Sequence, residues 1–424
     1  MASDIVSLEV QPFERSAPRA LAFAVGFFFS FRLAIVLLSV HILGVEPSTG
    51  SALSIGLDLL LLGLVCFDTV GAGQRTTRSL LRLPAIRWIA VFLAFSCCSF
   101  AWSESASLAN SFAYWLGLAI DAASVVMLLK SSANIDVAIA IMRGFIWSSC
   151  LLAVLAWLMP ASADLRLGDM EFFNTNEIGN LCAFGLLFSQ YLTRSTGVKW
   201  NLAKFTLVIT LVRTLSKATL VAFLVCESFL LILDRSMNRK TKALLLASAF
   251  VVVLVFWGLF EAYYDIYTTA GNQAETLTGR IVIWMYVLGA IQNHPWNLWI
   301  GHGFDSWWKV VPPFGNELFE ARHAENEILQ QFYAYGVAGL VILTCIYGSL
   351  FREILRLKRS SAKALLLCMV IFVLVRGLAE ADAFDLLLPL WSIVLLSVLI
   401  EHERMRRESN PGIPTNARNE RLGA

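Results

Sequence analysis

Long apolar runs separated by short polar segments set the pattern of this chain. A helix of about 20 apolar residues is long enough to cross the ~30 Å hydrocarbon core of a bilayer. The chain therefore reads as an all-α, polytopic membrane protein with about twelve transmembrane helices. The predicted spans are 21–43, 52–70, 88–102, 112–129, 137–159, 178–192, 202–215, 218–233, 243–260, 328–348, 364–378 and 386–400.

One long polar interruption divides these spans into two groups. Residues 261–327 form a large loop between the ninth and tenth spans, and this loop holds three of the five histidines. The predicted organisation is a terminal segment 1–20, nine helices within 21–260, the large loop 261–327, three helices within 328–400 and a tail 401–424. The seventh and eighth spans are expected to form a hairpin that turns over residues 213–217. The polar tail from His402 onward is expected to be disordered.

Composition supports the membrane class and narrows the chemistry. Hydrophobic residues make up 58% of the chain and charged residues only 15%, against roughly 25% charged in soluble domains. All eight cysteines lie inside apolar runs, without the spacing of a disulfide framework or a zinc site. The sequence also lacks a glycine-rich phosphate loop, which argues against an ATP-driven transporter. We therefore expect neither a metal nor a cofactor.

The distribution of basic residues predicts the orientation. With both termini in the cytoplasm, 23 Lys and Arg residues fall on the cytoplasmic side and seven on the opposite side. This bias follows the positive-inside rule and supports an even number of spans. The first span is expected to be a retained signal anchor. The large loop is thereby predicted to face the periplasm, with the protein in the bacterial inner membrane.

Three basic residues on the periplasmic side suggest an anionic ligand. Arg213 and Lys217 stand four residues apart at the turn of the predicted hairpin, where positive charge is disfavoured. Arg280 begins a segment, 281–291, that we interpret as an amphipathic surface helix. A guanidinium matches phosphate oxygens with a planar fork, so these three residues converging would suit a diphosphate.

Other charges near span ends have a simpler interpretation. For Arg143, Lys204 and Arg376, a role as helix anchors or snorkelling side chains is an equally good explanation. Arg32 and Asp58, on successive spans, could neutralise each other.

The segment before the tenth span contains candidate bases. His323 and Glu325 can both accept a proton near neutral pH, and the following helix would fix their position above the membrane plane. The competing interpretation of His323 is a solvated loop histidine.

Several short motifs occur in a characteristic order between about residues 171 and 339. The motifs are NTNEIG at 174–179, LSKATL at 215–220, TGR at 278–280 with Trp284, HP at 294–295, GHGF at 301–304, and HAENEIL at 323–329 with Gly336 and Gly339. Each motif alone is weak, but their order, spacing and shared sidedness resemble the O-antigen ligase and polymerase superfamily. The look of the chain is closest to exopolysaccharide repeat-unit polymerases.

This resemblance implies a glycosyltransferase with a GT-C-like membrane fold, acting on a glycan linked to a polyprenyl diphosphate. The two arginines that hold the diphosphate in the superfamily correspond to Arg213 and Arg280, with Lys217 beside them. The superfamily's histidine base does not map cleanly. Counting back eleven residues from Gly336 gives Glu325, with His323 two residues earlier, so either residue could be the base, and the spacing favours Glu325.

The glycan itself is expected to contact residues of the large loop. Trp307 and Trp308 offer stacking faces, although a tryptophan at a membrane interface is often only an anchor. His302 and Asn326 are further candidates for hydrogen bonds to the sugar.

Two products are compatible with the resemblance. The GHGFDSWW run and the Ser216-Lys217 pair favour a polymerase of repeat units over an O-antigen ligase that joins the glycan to lipid A core. A lipid-linked glycan flippase or transporter is a second alternative, although no repeat between the two halves supports it. The implied partners are the undecaprenyl-diphosphate-linked glycan, an acceptor glycan, membrane lipids, and polysaccharide export and chain-length proteins, without nucleic acid.

Overall fold

A computed structural model describes most of the chain. The described residues are 17–71, 80–131, 135–159, 165–168, 174–233, 238–255, 257–258, 261, 277–307, 323–358, 360–382 and 384–408. Regular structure in these residues is helical throughout, which confirms the all-α class. The predicted glycan-binding residue Trp308 lies outside the described residues.

The helices follow the apolar runs. They are α1 (Ala17–Leu43), α2 (Pro47–Gly71), α3 (Pro84–Cys98), α4 (Leu108–Ser131), α5 (Ile135–Leu158), α6 (Thr175–Thr196), α7 (Asn201–Arg213), α8 (Lys217–Leu233), α9 (Arg239–Val255), α10 (Leu277–Gln292), α11 (Pro295–Ile300), α12 (Glu327–Arg356), α13 (Ser361–Arg376) and α14 (Leu390–Glu408).

Six of these helices are long and apolar enough to cross a membrane: α1 to α5 and α12. The chain is thus a polytopic membrane protein by the length and composition of its helices. The remaining predicted spans each overlap a helix, but those helices are shorter or more polar. The count of twelve crossings, the GT-C-like arrangement and the domain boundaries stay predictions.

Glycines allow α1 and α5 to pack with their backbones in contact. A Cβ atom on Gly26 would lie 2.0 Å from the carbonyl oxygen of Ile141, and one on Gly144 would lie 2.1 Å from that of Phe23. Close approach at small residues is how membrane helices gain packing energy without a hydrophobic driving force between them.

The longest helix, α12, is interrupted at Gly336. This residue has φ +60° and ψ −154°, which no regular helix contains. The interruption leaves the carbonyl oxygens of Tyr333 and Ala334 to accept from the backbone N–H groups of His302 (3.0 Å) and Gly303 (2.8 Å). The GHGF motif is therefore bound to the interruption in α12, a feature that the uniform apolar run did not predict.

The glycines of this junction are required by close backbone contact. A Cβ atom on Gly336 would lie 2.5 Å from the carbonyl carbon of Trp299, and one on Gly301 would lie 2.4 Å from the backbone of Ala334. A Cβ atom on Gly303 would lie 2.5 Å from the Cα atom of Ser103. The segment 301–303 is thus held against both α12 and the α3–α4 connection.

Three expectations from the sequence are corrected. The segment 281–291 is helical but not amphipathic, because its exposed side carries apolar side chains such as Met285 as well. The ion pair of Arg32 at 2.5 Å is with Asp121 of α4, whereas the sequence suggested Asp58 as its partner. The start of the tail is not disordered, since α14 continues to Glu408.

Candidate functional site

The site is built around the first turn of α12. Asn326 caps this helix, because its side-chain oxygen accepts from the backbone N–H of Leu329 at 3.0 Å. The next residue, Glu327, is buried; its carboxylate accepts from the Tyr347 hydroxyl (2.8 Å) and from the Leu387 N–H (3.0 Å). These bonds fix the start of α12 against the segment that leads into α14.

His323 and Glu325 precede the cap in a constrained loop. Glu325 has φ +51°, in the left-handed region that side chains rarely adopt. Its N–H donates to Nδ1 of His323 at 3.3 Å, and its carboxylate lies 3.7 Å from the same nitrogen. Trp284 of α10 donates its indole N–H to the carbonyl oxygen of Ala324 at 3.0 Å, which ties the loop to α10. Strained backbone of this kind concentrates at functional sites.

Arg280, in the first turn of α10, contacts two carboxylates. Its Nη2 atom lies 3.2 Å from Oε2 of Glu325 and 3.8 Å from Oε1 of Glu380. The structure therefore brings together Arg280, His323 and Glu325, which the sequence had placed 43 to 45 residues apart.

Glu380 also connects this cluster to the hairpin of α7 and α8. Asn176, near the start of α6, donates from Nδ2 to Oε1 of Glu380 at 2.7 Å. The amide oxygen of Asn176 in turn accepts from the Ser216 hydroxyl at 2.7 Å. A continuous chain of polar contacts thus runs from the hairpin turn through Asn176 and Glu380 to Arg280.

Burial and neighbouring charge shift the pKa values of two members of the cluster. Burial raises the pKa of Glu380 to about 7, and repulsion from Glu325 acts in the same direction. The positive charges of Arg376 and Arg280 oppose this rise. Burial lowers the pKa of His323, an effect that the carboxylates of Glu380 and Asp382 oppose. At neutral pH the imidazole is therefore uncharged, while Glu380 is near its midpoint.

Two arginines near this cluster have a buried Nε–H group without an acceptor in the described residues. The Nε–H groups of Arg280 and Arg376 are buried and donate to no acceptor in the described part of the chain. Arg376 is only 5% exposed and interacts electrostatically with Glu327, Glu380 and His323. Buried donors are normally satisfied, so these two indicate a place where an anionic ligand would be bound.

Arg213 and Lys217 flank the turn that contains Ser216. The predicted hairpin is observed, with α7 ending at Arg213 and α8 beginning at Lys217. Arg213 donates from Nη1 to the carbonyl oxygen of Leu165 in the α5–α6 connection. The link from this turn to Arg280 runs through Ser216 and the polar chain described above.

The predicted glycan-binding residues are more buried than the sequence suggested. His302 stacks on Tyr333 with ring centroids 4.2 Å apart, and Trp307 is 2% exposed and packs edge-on against the same ring. Asn326 is engaged at both ends of its amide, since Nδ2 also donates to the Leu378 carbonyl oxygen at 3.1 Å. Trp307 and Asn326 thus each contact other residues of the protein, Trp307 by packing and Asn326 by hydrogen bonds.

Three residues of the cluster were missed or undervalued by sequence reasoning. Asn176 appeared only as part of a motif, Arg376 was interpreted as an anchor, and Glu380 was not considered. A usable signal existed, because Arg376 and Glu380 lie together at the end of an apolar run on the predicted periplasmic side. Their approach to Arg280 depends on tertiary contacts that spacing does not encode.

Comparison with known proteins finds two matches, each to part of this chain. Residues 202–344 match the family model described as O-Antigen ligase. An O-antigen ligase of Pseudomonas aeruginosa is 30% identical over 147 residues, which is 35% of this chain and 33% of that relative. The match thus spans about a third of the relative's length. The matched segment contains Arg213, Arg280, His323 and Glu325, and both matches support the resemblance to the O-antigen ligase and polymerase superfamily.

Proposed function

We propose that this protein is a membrane glycosyltransferase that uses a glycan linked to a polyprenyl diphosphate. One observation carries the proposal. Two arginines, Arg280 and Arg376, each have a buried Nε–H that donates to no acceptor in the described residues, and they lie near a carboxylate–imidazole pair at the start of α12. An anion site next to a proton acceptor is what displacement of a diphosphate by a hydroxyl group requires.

The reaction breaks the bond between the anomeric carbon of the donor sugar and the diphosphate oxygen. A hydroxyl oxygen of the acceptor forms the new bond to that carbon, and its proton passes to the base. The leaving diphosphate keeps the bonding electron pair, and Arg280, Arg213 and Lys217 stabilise its charge. Attack opposite the leaving group inverts the anomeric centre.

Glu325 is the favoured base. The Nδ1 atom of His323 already accepts the Glu325 N–H, so that neutral imidazole would carry its proton on Nε2. Glu325 has a carboxylate held by Arg280 at 3.2 Å. A diphosphate that binds Arg280 would compete for this guanidinium and leave the carboxylate able to accept a proton. Donor binding would thereby prepare the base.

Glu380 and Asn176 act as positioning residues in this scheme. The 2.7 Å bond between them and the approach of Glu380 to Arg280 hold the guanidinium between α6 and α12. With its pKa raised to about 7, Glu380 can also lose its charge near neutral pH, which increases the net positive charge available to a diphosphate.

Two acceptors fit this chemistry. Another lipid-linked repeat unit as acceptor would make the protein an exopolysaccharide or O-antigen polymerase, which the GHGFDSWW and Ser216-Lys217 features favour. A lipid A core acceptor would make it an O-antigen ligase, the name that both the family model and the Pseudomonas relative carry. The bond-forming step is the same in both cases.

The reaction would take place at the periplasmic face of the inner membrane. An undecaprenyl-diphosphate-linked glycan as donor matches the anion site and the surrounding apolar helices. Polysaccharide export and chain-length proteins are the partners expected for a polymerase.

Reconstitution tests the proposal. Purified protein in proteoliposomes would receive a lipid-linked glycan isolated from the source cells, either alone or with lipid A core. We expect release of polyprenyl diphosphate together with a glycan ladder, for a polymerase, or a glycosylated core, for a ligase. Glu46→Gln, a change at an exposed carboxylate between α1 and α2, is the matched control for variants of the site.

Consumption of the donor that does not depend on Arg280 would contradict the assigned site. Movement of the intact donor across the membrane, without cleavage of the diphosphate bond, would instead identify a flippase and reject the transferase.

A further inference from the structure

An open cleft of about 440 Å³ lies at the C-terminal end of α10. Its polar lining comes from three separate segments: Glu104 of the α3–α4 connection, Tyr286 and Asn293 of α10 and its end, and Asn297 and His302 of the segment that follows. Its volume falls in the range of roughly 300–1,000 Å³ typical of small-molecule sites.

The cleft is separate from the Arg280 cluster. Arg280 lies in the first turn of α10, whereas Asn293 follows the last. At 1.5 Å per residue, the lining residues Tyr286 and Asn293 lie about 9 Å and about 20 Å from Arg280 along the helix. A ligand that occupied both places would have to be extended.

We propose that this cleft binds an uncharged saccharide segment of the glycan, away from the reacting bond. The inference rests on the proposed transfer reaction and adds a second subsite to it. A carboxylate and two amides supply the donors and acceptors that sugar hydroxyl groups require. An aromatic ring such as that of Tyr286 can cover the C–H face of a sugar.

The imidazole of His302 has a defined tautomer. Its Nδ1 atom lies 3.1 Å from the carbonyl oxygen of Tyr333, so this nitrogen carries the proton. The Nε2 atom then accepts from Nδ2 of Asn297 at 3.0 Å. This bond orients the Asn297 amide and leaves its oxygen for a hydroxyl group of a ligand.

A backbone hydrogen bond joins two of the segments that line the cleft. The N–H of Glu104 donates to the carbonyl oxygen of His302 at 3.2 Å, which joins two sides of the cleft. The Tyr333 hydroxyl is fully buried and has no hydrogen-bond partner in the described part of the chain.

The charge of the lining selects the class of saccharide. Among the lining residues Glu104 is the carboxylate, and neither Lys nor Arg lines the described cleft. A uronic acid or a phosphate would be repelled, whereas a neutral sugar would not. The two ends of α10 therefore differ in the charges that a ligand would meet. The Arg280 end suits the diphosphate, and the Asn293 end suits an uncharged part of the glycan.

Direct binding tests the cleft. The probe is the glycan released by mild acid from the lipid-linked donor of the source cells, added to the purified full-length protein in nanodiscs. We expect Glu104→Gln and Asn293→Ala each to raise the dissociation constant by about tenfold, the loss expected for a hydrogen bond to a ligand. The matched controls Glu46→Gln and Asn110→Ala change exposed residues outside the cleft and should bind as the wild type does.

Two further arms define the outcome. Arg280→Ala should leave the affinity for this free glycan unchanged, because the probe lacks a diphosphate. A tetragalacturonate, which carries one carboxylate per sugar, should not compete with the probe. Competition by the tetragalacturonate would overturn the assignment to an uncharged saccharide.

Transfer from the lipid-linked donor, measured in the same preparation, separates this inference from the proposed function. Active transfer combined with unchanged glycan affinity in both cleft variants, or with no binding of the probe, would overturn the cleft alone. Cleft-dependent binding by a wild-type protein that transfers nothing would support the cleft and overturn the transferase.

Discussion

His302 and His323 lie in motifs of the same predicted loop, yet the structure gives them different surroundings. The ring nitrogens of His302 are hydrogen-bonded to the neutral groups of Tyr333 and Asn297, and its ring is stacked. His323 lies among charged side chains, with Glu325 at 3.7 Å. The first motif holds two backbones together, whereas the second collects ionisable groups. A histidine in a motif is thus a weaker guide to chemistry than the charges that surround it.

The largest expected effect comes from the guanidinium of the charged region. Arg280→Lys retains the positive charge but loses the planar fork that binds two oxygens of a diphosphate. We expect donor turnover to fall by about 100-fold or more, as when one preorganised donor to a developing anion is removed. Turnover by purified protein is the measurement, and Arg352→Lys at the exposed far end of α12 is the matched control. Near wild-type turnover in Arg280→Lys would remove bidentate binding from the account.

The two candidate bases should differ in importance. Glu325→Gln retains shape and hydrogen bonding but removes basicity, so turnover should fall by roughly tenfold or more, the low end for a general base. His323→Gln should cost less, because its Nδ1 atom serves the Glu325 backbone. Initial rates at saturating donor give the comparison. An inactive histidine variant beside an active glutamate variant would mean that the motif was aligned two residues out of register.

Substitutions at the junction between the His302 motif and α12 should change the stability of the fold. Gly336→Ala would place a Cβ atom 2.5 Å from the Trp299 backbone at a positive φ, so we expect a loss of about 3 kcal/mol or more in folding free energy. Gly348→Ala in the same helix is the control, because nothing lies within 4 Å of its added Cβ and alanine favours a helix. Thermal unfolding of the two purified variants measures the difference. Equal melting temperatures would show that the interruption at Gly336 is not needed.

The pH dependence should report on Glu380. Because burial raises its pKa to about 7, the side chain is mostly neutral below that pH and mostly charged above it. The added negative charge beside Arg280 opposes diphosphate binding, so the donor KM should rise a few-fold as the pH increases from about 6 to 8. Glu380→Gln should flatten this dependence and leave a low KM throughout. A wild-type profile retained in the variant would assign the titration to another group.

Features of the fold that depend on a local run of residues could be predicted from the sequence, whereas features that depend on tertiary contacts could not. Apolar length predicted the helices and the α7–α8 hairpin, because burial in lipid needs nothing beyond a run of apolar residues. The interruption at Gly336 was not predicted, since its carbonyl groups are satisfied by His302 and Gly303 from another segment. The segment 281–291 was predicted to be amphipathic, and this was wrong. Apolar side chains lie both on its packed side and on its exposed side.

Only the part of the site that lies within sequence motifs could be predicted. Arg280, His323 and Glu325 belong to motifs that resemble the superfamily, and the structure brings them together. Glu380 and Asn176 meet through tertiary packing across 204 residues, which no local spacing reveals.

The most direct test of the account is the affinity of the purified protein for polyprenyl diphosphate itself, without a glycan. The charged region should bind this lipid, so Arg280→Ala should raise its dissociation constant by at least about tenfold, the loss of one charge-assisted contact. Asn293→Ala, in the cleft at the other end of α10 and about 20 Å away along the helix, should bind it as the wild type does. Equal affinity in the wild type and Arg280→Ala would contradict the assignment of the diphosphate to this cluster.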